Sequence, residues 1–530
     1  MSQQKSSKWW IGAGSAITVG LLGTVCFHSI SLPAKARPVM RQEATAAEPA
    51  SVTAATAPVA GVTTSPTPAT PASASATASA SQVTQQVTQK VAPAGAIVHI
   101  VAKGESLPGI LHRYLPETTF MTGSELEAAV RGANPDLPKG LFPKTGTEII
   151  IPNYQKMPWT ERSVPLDKDF EVRAVYLTGT MAGSAKGLEI IRQWRKSGGN
   201  AVVFDIKDSD GSVSVPIAHP LAPKQNSVPL RNLAKFTRFV HQNDMKAIAR
   251  IAIFRDELLV KNHPELAIRS RRSGKAWVEN GKLVWTDPSR SEIWDYNIAL
   301  AKFAAQNGAD EVQFDYVRFP AEGDQADAHF VFQDEHKDWQ RSDVIVAFLE
   351  KAHAAMKQQN VLFSLDVFGV MAWQRPVDLS HTGQDIARMA KVCDVMSPMI
   401  YPSHFYGMDG YTMPGDAPEH FISESMKRFQ KTTAGSGVVI RPWLQAFGWR
   451  TKTYSPEYIR VQVETAKQTG GNGFLFWNAR NDYSKPYVAM PEMKQAGAKY
   501  FRGDDVDTVL KKIKAGTVTT TAGGNAPAGL

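Results

Sequence analysis

Residues 310–320 read DEVQFDYVRFP and residues 361–369 read VLFSLDVFG. Both runs are short, rich in Val, Phe and Leu, and flanked by longer segments with apolar residues at helical spacing, so each predicts a strand in a repeated strand–helix pattern. Six further runs share the form: AVYLTG (174–179), NAVVFDIKD (200–208), KAIARIAIF (246–254), CDVMSPMIYPS (393–403), VVIRPWLQAF (438–447) and GFLFWNAR (473–480). Between the third and fourth runs, SEIWDYNIALAKFAAQNG (291–308) follows Asp287-Pro288 and closes on Gly308, as a helix should. Eight such units in about 320 residues predict an α/β fold, a parallel (β/α)8 TIM barrel over residues 165–505. The other candidate, a doubly wound open sheet, asks for a Gly-rich phosphate loop, and no G-x-G-x-x-G or G-x-x-x-x-G-K stands in the right context.

Alternate residues of a barrel strand point inward, and chemistry collects where the strands end. In the fourth run Val312 and Phe314 then face the helices, while Gln313 and Asp315 face the interior; in the fifth, Phe363 and Leu365 face out and Asp366 faces in. Two acids on adjacent strands thus meet one cleft. A carboxylate pair is what glycosidic hydrolysis needs, one as proton donor and the other as nucleophile or base. Each could instead be satisfied by backbone amides or by a cation such as Arg318. The remaining strand ends carry groups suited to sugar: Tyr176, Asp205, Lys207, Arg250, Tyr401, His404, Trp443, Gln445, Trp477 and Asn478. Aromatic rings stack on the apolar faces of sugars, and polar groups satisfy the hydroxyls.

Composition narrows the alternatives. The chain has 530 residues, 43% hydrophobic and 21% charged, which is ordinary globular usage. Two cysteines so far apart as Cys26 and Cys393 make no disulfide framework and no thiolate metal site. The twelve histidines form no H-x-x-x-H or H-x-H pair, and no G-x-S-x-G elbow is present, so no metal or other cofactor is expected. The net charge of +9 is scattered, without a basic cluster or motif for nucleic acid.

Residues 1–36 hold an uncharged apolar stretch, Trp9 to Leu32, after Lys5 and Lys8. Its length suits a bilayer-spanning anchor, while Ala34-Lys35-Ala36 offers a cleavage site, so retained anchor and cleaved signal both stand. Either places the body outside the cytoplasm. Residues 37–96 are dominated by Ala, Thr, Ser, Pro and Val and predict a disordered linker, open to limited proteolysis between about Arg41 and Ile97; residues 514–530 predict a disordered tail.

Residues 97–155 predict a small α+β domain, with a strand, two helices and a closing strand. Lys103-Gly104-Glu105-Ser106-Leu107, Asn134-Pro135 and Gly146-Thr147-Glu148-Ile149-Ile150-Ile151-Pro152 resemble the outline of a LysM module. That resemblance implies binding of N-acetylglucosamine-containing glycan such as peptidoglycan; the plainer reading is a structural cap on the next domain. Pro108, where the family begins a helix, departs from the outline.

NAVVFDIKDSDG, ARIAIFRDELLVKNHPELA, DEVQFDYVRFP, SLDVFG, SPMIYPSHF, IRPWLQAF and FLFWN, in that order from Arg173 to Ser484, resemble the "putative glycosyl hydrolase domain" family of bacterial envelope proteins. The resemblance implies a barrel related to α-amylase and α-galactosidase glycosidases, whose acid after the fourth strand falls on Asp315. The second role falls on Asp366, although many barrel glycosidases carry Glu there or use the sixth strand. The expected mechanism makes Asp315 the nucleophile or charge stabiliser, kept ionised by Arg318, and Asp366 the proton donor, beside an apolar wall of Trp373 or Phe368. Strands about 4.8 Å apart favour retention of configuration. The expected partners are a polysaccharide, peptidoglycan through the module and a membrane through the N-terminal segment, with no nucleic acid. The competing function is a non-catalytic glycan-binding protein with a degenerate barrel.

Overall fold

Each apolar run becomes a barrel strand, and the eight close in chain order. The computed structural model describes residues 91–503 apart from 157 and 226. The strands are Val172–Leu177, Ala201–Lys207, Lys246–Ala252, Glu311–Asp315, Leu362–Phe368, Val395–Ile400, Trp443–Gln445 and Gly473–Trp477. All neighbours pair in parallel, and the eighth returns to the first through Gly473 beside Val172. Closure depends on that glycine: its φ is +76°, and a Cβ there would lie 2.0 Å from the Val172 carbonyl oxygen. The seventh strand has a two-residue lead, Val439–Ile440, and is broken at Pro442, which cannot donate to a ladder.

Period-two alternation sorts the side chains into two cores. Outward, Phe314 stacks on Phe348 of helix Arg341–Gln359 and meets Phe363 edge-on, with ring centroids 5.8 and 4.9 Å away. Inward, Ala174, Tyr176, Val203, Ile248, Trp443 and Leu475 fill the barrel. Helices fit the gaps because their ends are specified locally. Ser184 caps Ala185–Ser197 and Gly198 ends it in the left-handed region at φ 110°; Ser455-Pro456 starts Pro456–Gln468.

Ahead of the barrel, Ile97–Ile100 and Glu148–Ile151 form an antiparallel pair covered by helices Leu107–Tyr114 and Gly123–Ala133, around Leu107, Ile110, Leu126, Val130 and Ile149. This unit is tied to the barrel. Lys235, on helix Leu233–Gln242, donates to Leu115 O at 2.7 Å and to Phe120 O, Trp159 Nε1 donates to Pro116 O at 2.8 Å, and Arg192 pairs with Glu125 at 2.9 Å. Among the described residues no helix is long and apolar enough to cross a membrane. The expected anchor or signal, the linker up to residue 90 and the tail lie outside the described residues.

Candidate active site

At the C-terminal ends of the strands three carboxylates converge on one guanidinium. Arg250, from the third strand, sends Nη1 to Asp205 Oδ1 at 2.5 Å and binds Asp315 Oδ2 through Nε at 3.2 Å and Nη2 at 2.6 Å. Asp366 Oδ2 lies 3.8 Å from the same Nε. The facing oxygens of Asp315 and Asp366 are therefore no further apart than those two Nε distances taken end to end, about 7 Å. Asp208 Oδ1 stands behind, 3.9 Å from Nη1.

The carboxylates differ in what else they meet. Asp315 Oδ1 accepts from the backbone N of Tyr316 at 2.6 Å, and this side chain is the most open of the three at 5% exposure, against 1% for Asp366. Asp366 Oδ1 accepts from Trp443 Nε1 at 2.7 Å. Burial, then the negative charge of Asp315, pushes its pKa well above the carboxylate range. Asp205 accepts from the Tyr176 hydroxyl at 2.5 Å, and burial lifts it to about 7 against the pull of Arg250. Arg250 is itself buried, but Asp205 and Asp315 overcome that cost and fix its positive charge. Aromatic rings close the floor: Trp477 stacks on Tyr176 at 4.0 Å, Trp443 meets Trp477 edge-on at 5.7 Å, and the Arg250 guanidinium lies 5.2 Å over Trp477.

Of the residues selected from sequence, Tyr176, Asp205, Arg250, Asp315, Asp366, Trp443 and Trp477 come together here. Tyr401 and His404 lie beside them on the sixth strand's loop, their rings 5.4 Å apart, and burial takes His404 down to about 4. Others have different surroundings. The cation on Asp315 is Arg250; Arg318 instead donates to Phe319 O and lies between the rings of Phe368 and Trp285, at 4.3 and 4.7 Å. Lys207 is fully buried in an ion pair with Asp256 at 2.8 Å, near Tyr296 of the outer helices, because the register slips between Asp205 and Lys207. Trp373 ends a 3₁₀ turn, Gly369–Trp373, and packs on Phe405 under Arg428, so it is not a wall for Asp366.

Three amides serve the frame. Gln445 Oε1 accepts from Ser403 N, and its Nε2 donates to Phe447 O and Thr451 Oγ1, clamping the sixth and seventh loops together. Asn478 spends its amide on Ala446 O, Asp482 O and Arg480 N. Gln313 lies fully buried under the carboxylates and donates to Ser397 at 3.2 Å. Phe447, Trp449 and Arg450 escaped selection; the aromatic-rich FGWR segment directly after the seventh strand was the available signal.

The fold is a closed parallel (β/α)8 barrel with a cluster of buried carboxylates at the strand ends, the face where this fold carries its sites. Residues 174–483, more than half of the chain, match the family described as "putative glycosyl hydrolase domain", and the chain belongs to that family. No curated protein matches it. Similar solved structures include a hypothetical protein from Ruminiclostridium thermocellum (33% identity, 36% of this chain, 97% of that one, TM-score 0.32). Another is the PgaB (BpsB) glycoside hydrolase domain from Bordetella bronchiseptica (14%, 63% and 100%, TM-score 0.46). A third is the spore cortex-lytic enzyme SleL from Bacillus megaterium (12%, 77% and 87%, TM-score 0.38).

Proposed function

We propose that this protein is a glycoside hydrolase acting on a cell-envelope or extracellular polysaccharide, with Asp315 and Asp366 as its two carboxylates. The observation that carries the reading is their shared approach to Arg250 Nε within about 7 Å of each other, together with membership of the family. Asp315, charge-paired with Arg250, attacks the anomeric carbon or stabilises the cation that forms there. Asp366 holds the proton, because burial and the neighbouring charge of Asp315 oppose its ionisation. Trp443 occupies Oδ1, which leaves Oδ2, the oxygen on the Arg250 side, to deliver the proton to the leaving oxygen. A ceiling of about 7 Å on the facing oxygens admits both the retaining spacing of about 5 to 5.5 Å and the short end of the inverting range, and the place of the two acids on adjacent strands inclines the proposal to retention.

In this reading residues 97–155 attach the enzyme to N-acetylglucosamine-containing glycan such as peptidoglycan, and the N-terminal segment holds or exports the body outside the cytoplasm. The non-catalytic alternative draws on the 1% exposure of Asp366, which leaves a substrate little access to the proton. Screening the full chain against peptidoglycan and a panel of exopolysaccharides for released reducing ends decides. Asp315→Asn and Asp366→Asn should each cut turnover by about 100-fold or more, while glycan retention stays near wild type. A cleaved substrate on which both variants keep full activity would refute the assignment.

A further inference from the structure

Beside the carboxylates, the loops after the sixth and seventh strands build a second surface. Tyr401, buried at 6% exposure, anchors it from beneath as part of the same inner cluster as Trp443 and Tyr176, with Phe447 and Trp477 packed against that cluster. From there ring follows ring: Tyr401 to Phe447 at 5.7 Å, His404 to Phe447 at 5.9 Å and His404 to Trp449 at 5.2 Å. Arg450 then lies 4.4 Å over Trp449 and 5.2 Å over Tyr406. The strip ends in a pocket of about 260 Å³ lined by Ser403, Tyr406, Thr412, Met413, Pro414 and Arg450. Tyr406, 54% exposed, and Met413, 37% exposed, both line it, so the pocket's apolar rim is open to solvent.

The surface is held in shape before anything binds. Gln445 ties both loops from beneath, and Asp416 Oδ1 accepts from Lys452 N and Thr453 N across them. Gly415 permits the approach, since a Cβ there would lie 2.1 Å from Arg450 O. Rigid aromatic faces flanked by a guanidinium and hydroxyls suit sugar rings, with apolar faces to stack and hydroxyls to satisfy. The pocket is below the roughly 300 to 1,000 Å³ of a site for a whole drug-sized ligand, as expected if it takes one unit of a longer chain.

We infer that Trp449, Tyr406 and the pocket beside Arg450 form an extended binding subsite for further sugar units of a polymer whose scissile bond lies at Asp315 and Asp366, so that the natural substrate is a long glycan chain engaged away from its end. The inference rests on the glycan reading of the cleft. Its test separates the two. The full chain carrying Asp315→Asn is applied to an array of bacterial glycans of graded length, containing N-acetylglucosamine, N-acetylmuramate, galactose or uronate. Retention should rise with chain length, and adding Tyr406→Ala or Trp449→Ala should weaken the longest chains about three- to tenfold while sparing the shortest. Tyr406→Phe, which keeps the ring, should restore the length preference. An unchanged length preference in both alanine variants overturns the subsite and leaves the hydrolase reading standing. Length-dependent retention by a wild type that cleaves none of the retained glycans refutes hydrolysis and leaves the subsite standing. Retention of no glycan overturns both. Conversion of a dimer to a monomer by Tyr406→Ala, with glycan retention unaltered, would assign the face to a second copy instead.

Discussion

Trp443 donates its indole N–H to Asp366 at 2.7 Å, reaching from the seventh barrel strand to the fifth over the intervening sixth. The bond stabilises the ionised carboxylate, whereas burial and Asp315 oppose ionisation and prevail. Two substitutions should then move the proton in opposite directions. Trp443→Phe removes a donor and should raise the pH at which Asp366 ionises; Asp315→Asn removes a negative neighbour and should lower it. Infrared titration of the protonated-carboxyl band, assigned by its loss in Asp366→Asn, measures both shifts. If the band moves the same way in both variants, the electrostatic account of the pair is wrong.

Stability should fall as pH rises from about 4 to about 7 through Asp205. Its pKa goes from an ordinary 3.8 to about 7, so in that window the native chain keeps a proton that the unfolded chain has released. The stabilisation is full below the lower value and lost above the upper one. Asp205→Asn cannot titrate and should flatten this part of the profile. Urea midpoints collected from pH 4.5 to 8 would show it, and an identical slope in the variant would count against the shift.

Arg250→Met should be among the costliest single changes in the barrel. It leaves the Asp315 carboxylate, and the ionised fraction of Asp205, buried without their common cation, at a cost of about 3 to 5 kcal/mol at neutral pH. Part of that loss should return at acid pH, where the carboxylates take up protons. Chemical denaturation at pH 5 and 7.5 makes the comparison; equal losses at both would mean that the cation is not what the carboxylates need.

Lys235→Ala should loosen the N-terminal unit from the barrel, because its ammonium is the donor to Leu115 O and Phe120 O. Faster proteolytic cutting between residues 155 and 165, with the barrel left intact, is the expected result. An unaltered cutting rate would place the weight of the contact on Trp159 and Arg192.

The barrel was legible because its strands are short runs rich in β-branched and aromatic residues and its helices are marked by their ends, so all eight runs overlap a strand of the structure. Alternation also placed Asp315 and Asp366 on the inner face, beside each other. It failed where the backbone departs from a regular pleat. At Asp205 and Lys207 a register slip redirects the lysine, and after Phe368 a 3₁₀ turn carries Trp373 outward. Amides were illegible for another reason. Gln445 and Asn478 stand at strand ends as a sugar-binding amide would, but they are spent on loop backbone, both nearby at Phe447 O and Asp482 O and distant in sequence at Ser403 N and Ala446 O, and spacing along a strand contains no information about how those loops turn back. Arg250 was selected as a sugar contact; its role as counterion to three acids from three other strands emerged only from the closed barrel.

Tyr316 follows Asp315 with φ at +54°, a left-handed conformation that costs a bulky L-residue on the order of 1 kcal/mol and that glycine would adopt freely. In this conformation its N–H turns back onto the Asp315 carboxylate. Glycine at position 316 would release that strain but would give up the ring contacts with Trp285 and Arg318 and add freedom to the unfolded chain, so the strain is held in place by the packing around the ring. A directed-evolution campaign screened on melting temperature should accordingly find little to gain at this codon, and would leave the backbone that orients the Asp315 carboxylate as it is.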